Sequence, residues 1–266
     1  MHNLELFLKV AKEASLLGGM VLKEFYGRED NLVMEKGEKD IYSLADKLSE
    51  ERIREHIHRY LPDHKVVGEE DGGCREGEYV WFIDPLDGTK NFVAGFPFFG
   101  TSVGLLYRER PLVGAVYLPV FDSLYWAVAG GGAYKNGKAL RIGEKSELKK
   151  CYVAYGYPSR AKRDLNAYWN ILREVFDKVG AMRRPGAAAV DLCLMAEGVF
   201  DGLLEFELNP WDVVAGVLVA KEAGAKVALT KGFSNATDVY AGNQVCYPFL
   251  EKVIKLNLEE FRELLL

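Results

Sequence analysis

From Trp81 to Thr89 the chain reads W-F-I-D-P-L-D-G-T, an apolar run that ends on two carboxylates, Asp84 and Asp87, set around a proline turn. Carboxylates three apart on such a turn can converge on a hard divalent cation, which prefers oxygen ligands. Gly88 and Thr89 follow at once, in a segment able to open a helix, and free N–H groups at a helix start can bind an anionic oxygen beside that cation. Metal and phosphate held side by side is the arrangement that phosphoryl chemistry needs.

Two more acidic elements belong with this pair. Gly68-Glu69-Glu70-Asp71 follows the apolar residues Val66 and Val67, and Asp212 falls in the first turn of a helix capped near Asn209. Each has an ordinary explanation when taken alone. Glu69 to Asp71 reads as a solvated turn, Asp84 to Gly88 as a turn with a helix cap, and Asp212 as a carboxylate favoured by the helix dipole. Their joint presence points to chemistry. Gly130-Gly131-Gly132 does not, because no G-x-x-x-x-G-K-[ST] is present, and a loop before the Asn136-Gly137 hairpin turn accounts for it.

Helices and strands must carry these residues. Leu4, Phe7, Ala11, Ala14, Leu17 and Val21 recur at helical spacing, and Gly27 closes that helix. A polar loop from Arg28 to Asp40 follows, with a short extended piece at Leu32 to Met34. Leu44, Leu48, Ile53, Ile57 and Tyr60 mark a second helix, stopped by Pro62. His56 and His58 point to different sides of it, and with His64 they read as solvated surface residues. Tyr79 to Ile83, Ser102 to Tyr107, Leu112 to Leu118 and Leu124 to Val128 read as strands joined by hairpins.

After Cys151 strands alternate with helices. Strands are expected at Val153 to Tyr155, Phe200 to Phe206, Ala225 to Leu229 and Val239 to Gly242. Helices are expected at Leu165 to Val179, Ala187 to Glu197, from Asn209-Pro210 to Gly224, and at Tyr247 to Lys255 and Leu258 to Leu265. The order predicts a layered α/β sandwich of mixed (α+β) character, with an N-terminal half over 1–150 and a C-terminal half over 151–266. The site is expected between the halves, because its acids come from both.

The 266 residues are 49% hydrophobic and 27% charged, as expected of a globular chain with a sizeable core. A net charge of −5 weighs against nucleic acid as the main partner. Cys74, Cys151, Cys193 and Cys246 lack metal-site spacing and read as reduced thiols of a cytoplasmic protein; Cys74, near the acidic turn, is a candidate for oxidation. Glu5 and Lys9 interrupt the N-terminal apolar pattern, which argues against a signal peptide, and no run is long enough for a membrane span.

G-E-E at Gly68 to Glu70, D-P-L-D-G-T at Asp84 to Thr89 and W-D-x-x-A-G at Trp211 to Gly216, in that order, resemble the signatures of the inositol monophosphatase family of lithium-sensitive, magnesium-dependent phosphatases. The resemblance runs from the first helix to the last and implies alternating α-β-α-β-α layers. It implies one Mg²⁺ on Glu69, Asp84 and the Leu86 carbonyl, a second on Asp84, Asp87 and Asp212, and a weaker third on Glu69 and waters. Gly88 and Thr89 would hold phosphate oxygens, with Asp87 beside the substrate. Thr89 and Asp46, with Glu70, would activate the water, and Lys36 matches a lysine near the metals. Glu205, seven residues before Asp212, stands where inositol-specific members bind sugar hydroxyls. Arg183 and Arg184 precede a segment in which Ala187 replaces the family's hydroxyl residue; Arg183, with Ala187 and Lys36, is expected at the substrate or, for the arginine, at a subunit interface, and Arg184 at the surface. Val214 stands where the family usually has a smaller residue.

The activity so implied is hydrolysis of myo-inositol 1-phosphate, in a lithium-sensitive homodimer. Fructose-1,6-bisphosphatase, alone or as a dual activity, is the nearest alternative. A nucleotide 3′-phosphatase would need a large insertion that the chain lacks. A regulatory binding protein of the same fold, contacting transcription machinery, is the alternative of another class.

Overall fold

The computed structural model describes residues 3–28, 33–37, 40–157, 165–257 and 264–265. The chain opens with α1 (Leu4–Phe25), a two-stranded ribbon of β1 (Val33–Gly37) and β2 (Asp40–Ser43), and α2 (Leu44–Tyr60). Then come β3 (Lys65–Gly68), β4 (Tyr79–Asp87), the short α3 (Thr89–Val93), β5 (Gly100–Tyr107), β6 (Arg110–Leu118), β7 (Ser123–Val128), β8 (Gly132–Lys135) and β9 (Lys138–Ala139). The second half holds β10 (Tyr152–Tyr155), α4 (Leu165–Lys178), β11 (Ala181–Arg183), α5 (Ala188–Ala196) and β12 (Gly202–Leu208). It continues with α6 (Pro210–Glu222), β13 (Lys226–Leu229), β14 (Thr237–Gly242), α7 (Cys246–Asn257) and β15 (Leu264–Leu265).

Strands β3 to β9 form one sheet in sequence order, antiparallel except for the parallel β3–β4 pair. The second sheet has the order β11-β10-β12-β14-β13-β15 and mixes parallel and antiparallel pairs. Helices α1 and α2 cover the outer face of the first sheet, where Phe7, Val10, Ile53 and Ile57 meet Trp81, Ile83 and Val103. Between the sheets lie α5 and α6, with Leu192, Val213 and Val217 packed against Phe82 on one side and Leu203, Val227 and Val239 on the other. Helices α4 and α7 close the outer face of the second sheet through Tyr168, Ile171, Leu250 and Val253. The layers therefore alternate α-β-α-β-α, as expected of a chain whose sheets are both apolar on two faces.

Helix α6 is buried all round, and it crosses the first sheet closely. A Cβ on Gly104 would lie 2.5 Å from Val214 Cγ1, so the larger residue at 214 fits because the strand beneath it has no side chain there. Ser102 Oγ donates to the Trp211 carbonyl at 3.3 Å and fixes the start of α6 on β5.

Several expectations are corrected. Strand β4 continues through Pro85 to Asp87, with a register shift against β5 between Asp84 and Asp87; proline is tolerated in a strand at such an irregularity. The expected loop at Arg28 to Asp40 contains β1, paired with β2, and Leu32 lies outside the described residues. In the expected last helix, Leu264 and Leu265 instead pair with β13; 258–263 lie outside the described residues. Two of the histidines are not solvated: His56 is buried with Nε2 3.1 Å from Glu13, and His64 Nδ1 accepts the Trp81 indole N–H at 3.1 Å. Among the described residues no helix is long and apolar enough to cross a membrane.

Candidate active site

Five pieces of chain meet at one cleft: the turn after β3, the end of β4 with α3, the residues just after β10, the segment leading into α5, and β12 with the start of α6. Glu69, Asp84, Leu86, Asp87, Gly88, Thr89, Arg184, Glu205 and Asp212 all line it. Carboxylate oxygens from Glu69, Asp84 and Asp212 lie within 4.8 Å of one another. Asp84 Oδ1 accepts the Leu86 N–H at 2.9 Å, which turns the aspartate back over its own proline turn. Asp212 Oδ2 accepts the Asn209 N–H at 2.7 Å in a capping box, so the same carboxylate that caps α6 is presented to the cleft.

Asp87 lines the same cleft but is held differently. Its two oxygens accept N–H groups of Ala188 and Val190 at 3.0 and 3.1 Å, tying the end of β4 to the first turn of α5. Gly88 follows with φ of 90°, a conformation suited to glycine, and a Cβ there would lie 2.9 Å from the Phe98 carbonyl.

Burial sets the electrostatics. Asp84 is pushed well above the usual carboxylate range by desolvation first, then by Glu69, Asp87 and Asp212. Asp87 is pushed up to about 7 by burial, against the opposing pull of the α5 N–H groups. Glu205 is pushed up to about 8, again chiefly by burial and then by Asp87, with Arg184 acting the other way. Carboxylates crowded in this manner resist ionisation together unless a cation joins them. The donor set is oxygen only, which suits a hard divalent ion.

Beside the acids, Thr89 Oγ1 lies 3.3 Å from Asp46 Oδ1 and 3.1 Å from the Leu86 carbonyl. Asp46 is buried, and its other oxygen accepts both the N–H and the hydroxyl of Ser43, at 2.7 and 2.6 Å. Helix capping thus locks the aspartate in a single orientation toward Thr89.

Glu205 stands on β12 just before a register shift against β14, where Glu207 takes a positive φ. Bulges commonly re-aim a side chain next to a site. A Cβ on Gly156 would lie 1.5 Å from Glu205 Oε2, so the bare glycine leaves the carboxylate its place. Of the two arginines, Arg184 lines the cleft, with its guanidinium 4.0 Å from the Tyr157 ring centre. Arg183, the arginine expected at the substrate, is not among the lining residues: it is exposed and donates to the Met182 carbonyl.

Of the other expected site residues, two are not on the cleft wall and the side chain of one lies outside the described residues. Ala187 is buried behind Gly88, while its neighbours Gly186 and Ala188 line the cleft. Glu70 is half-buried and is not among the lining residues; its N–H is held by Glu50. Lys36 falls on β1, and its side chain lies outside the described residues. Cys74 is exposed and the other three cysteines are buried, all as free thiols.

Gly156, Tyr157 and Glu50 were not singled out from sequence. A lone glycine, a surface tyrosine and a helix Glu four residues before an Arg give no signal that separates them from ordinary structure.

The cleft thus sets clustered carboxylates that could hold a metal ion beside a hydroxyl and a helix start, in a five-layer sandwich. A model of the inositol monophosphatase family matches residues 3–258, and the chain belongs to that family. It is 54% identical over 97% of its length, and 99% of the relative's, to the fructose-1,6-bisphosphatase/inositol-1-monophosphatase of Aquifex aeolicus. It is 35% identical to the Nus factor SuhB of Haemophilus influenzae, over 96% of this chain and 95% of that protein. Among solved structures, the inositol monophosphatase of Anabaena superposes with a TM-score of 0.82 at 33% identity, covering 97% of this chain and 98% of that one.

Proposed function

We propose that this phosphatase is magnesium-dependent and hydrolyses myo-inositol 1-phosphate by direct attack of water. The observation that carries the substrate is Glu205, a buried carboxylate opening into the same cleft as Glu69, Asp84 and Asp212. A carboxylate can accept hydrogen bonds from neighbouring hydroxyls of a polyol. Glu69, Asp84 and Asp212, with Asp87 and the Leu86 carbonyl, would hold two or three Mg²⁺ ions. Bound there, the cations supply Lewis acidity, lowering the pKa of water and offsetting charge on the attacking and leaving oxygens.

The chain's own groups do the rest. Gly88 and Thr89 receive phosphate oxygens at the start of α3. The Thr89 hydroxyl accepts a hydrogen bond from the attacking water and directs its own proton to Asp46 Oδ1, which serves as the base. Water is activated in place, so no covalent enzyme intermediate is required. Homodimerisation, implied by family, is part of this reading.

A dual fructose-1,6-bisphosphatase activity is the second reading, and Arg184 favours it. Its guanidinium lies on the rim of the cleft, where a second phosphate can be met bidentately, and the Aquifex relative carries both activities in its name. A panel of inositol, sugar and nucleotide phosphates, assayed for phosphate release with and without Mg²⁺, tests both. Absence of Mg²⁺-dependent release from every member would overturn the enzyme reading and leave a role of the kind named for the SuhB relative.

A further inference from the structure

Glu50 and Arg54 lie on α2, outside the cleft, yet they hold the turn that carries Glu69. Glu50 is fully buried. Its Oε2 accepts the Glu70 N–H at 2.8 Å, and its Oε1 accepts the Asp71 N–H at 3.1 Å. Arg54 closes on Oε1 with both Nε and Nη2 at 2.8 Å. The guanidinium also donates to the Val66 carbonyl at 3.2 Å and to the Gly72 carbonyl, one on each side of the turn. The turn is pinched shut between these points, with the Gly68 N–H donating to the Gly72 carbonyl at 2.9 Å. Gly68 has to be glycine for this packing, since a Cβ there would lie 2.2 Å from Glu50 Oε1.

We infer that Glu50 and Arg54 are positioning residues that fix Glu69 in the carboxylate cluster and thereby set the affinity for the divalent cation. The inference rests on the metal reading given above. The physical need is visible in the cluster itself. Glu69, Asp84 and Asp212 repel one another, and Glu69 is the one carried on a turn; Asp84 stands on a central strand and Asp212 on a buried helix. Without a restraint, the turn would relieve that repulsion by moving outward. Glu50 supplies the restraint through the backbone N–H groups of the two residues after Glu69, and Arg54 neutralises the buried charge that does so. Removing one partner of such a pair leaves the other uncompensated.

The alternative is that the pair only stabilises the fold. Glu50→Gln and Arg54→Lys in the full chain separate the two. Mn²⁺ binding would be followed by electron paramagnetic resonance, together with the Mg²⁺ midpoint of activity, the saturating kcat and the Tm in EDTA. Outer partners of metal ligands change affinity about ten- to hundredfold, so both variants should weaken Mn²⁺ binding and shift the Mg²⁺ midpoint by that order, with kcat recovering at high Mg²⁺. If Glu50→Gln does not fold, the milder Arg54→Lys decides alone. Unchanged Mn²⁺ affinity with only a lower Tm overturns the inference. A wild-type chain that binds no Mn²⁺ overturns the metal reading, and the inference with it.

Discussion

Thr89 and Asp46 face each other across the junction of α3 and α2, 3.3 Å apart, forty-three residues distant in the chain. The threonine hydroxyl has two acceptors within reach, Asp46 Oδ1 and the Leu86 carbonyl. Only one can take its proton at a time. Donation to Asp46 leaves the hydroxyl oxygen's lone pairs free to accept a hydrogen bond, which is the state a water-activating hydroxyl needs.

Thr89→Val should therefore lower kcat by about 10²- to 10⁴-fold with little change in KM, the range usual for loss of a general acid–base partner. Thr89→Ser keeps the hydroxyl and should retain most of the activity. Steady-state kinetics at saturating Mg²⁺ decide it, and near-normal kcat in the valine variant would remove Thr89 from the reaction.

The crowded acids give a stability prediction. Asp87 and Glu205 have folded pKa values raised to about 7 and about 8. A raised acid binds its proton more tightly in the folded than in the unfolded chain, so its contribution is most favourable at low pH and is lost as pH rises toward the folded value. In EDTA the Tm should fall by roughly 5–10 °C between pH 5 and 8. Mg²⁺ should flatten that slope. Scanning calorimetry giving the same slope with and without Mg²⁺ would argue against a cation at these carboxylates.

Arg184 and Arg183 should part company. Arg184→Gln removes a charge at the cleft and should raise KM for fructose 1,6-bisphosphate about tenfold, the value of a charge-assisted hydrogen bond. Arg183→Gln should leave both substrates unaffected, because that side chain turns to the Met182 carbonyl. Equal effects of the two changes would contradict the placement of Arg184.

Glu205→Gln should weaken inositol 1-phosphate hydrolysis about ten- to hundredfold more than that of a phosphate ester lacking a polyol. Gly156→Ala should act in the same direction, since the added methyl would occupy the space of the Glu205 carboxylate. Comparing kcat/KM for the two esters reads both variants, and parallel losses would end the case for polyol recognition.

Lithium should inhibit turnover, because a small oxygen-seeking cation suits the same carboxylates. A rate unchanged across a lithium titration would exclude this.

The sequence alone determined the acids and most of the helices and strands, while the order of the layers was implied by the family resemblance. Asp84, Asp87, Glu69 and Asp212 sit in short local motifs, and apolar periodicity is a local property of each element, so both are visible without coordinates. Local turn chemistry also made Asp46 and Asp212 recognisable as first-turn residues. What the tertiary structure decided is which side chains share one cleft. Arg183 and Arg184 are indistinguishable as neighbours in a sequence, and only the path of the chain after β11 brings Arg184 beside Tyr157. Ala187 and Glu70 lie in motif segments, yet packing places one behind Gly88 and keeps the other off the cleft wall. Glu50 and Arg54 look like an ordinary helix pair until α2 packs on β3 and the turn closes over them. The pairing of Leu264 with β13 likewise depends on a distant edge strand being open to receive it. Such contacts join residues far apart in sequence, and their energies come from burial and shared hydrogen bonds that exist only once the layers have assembled.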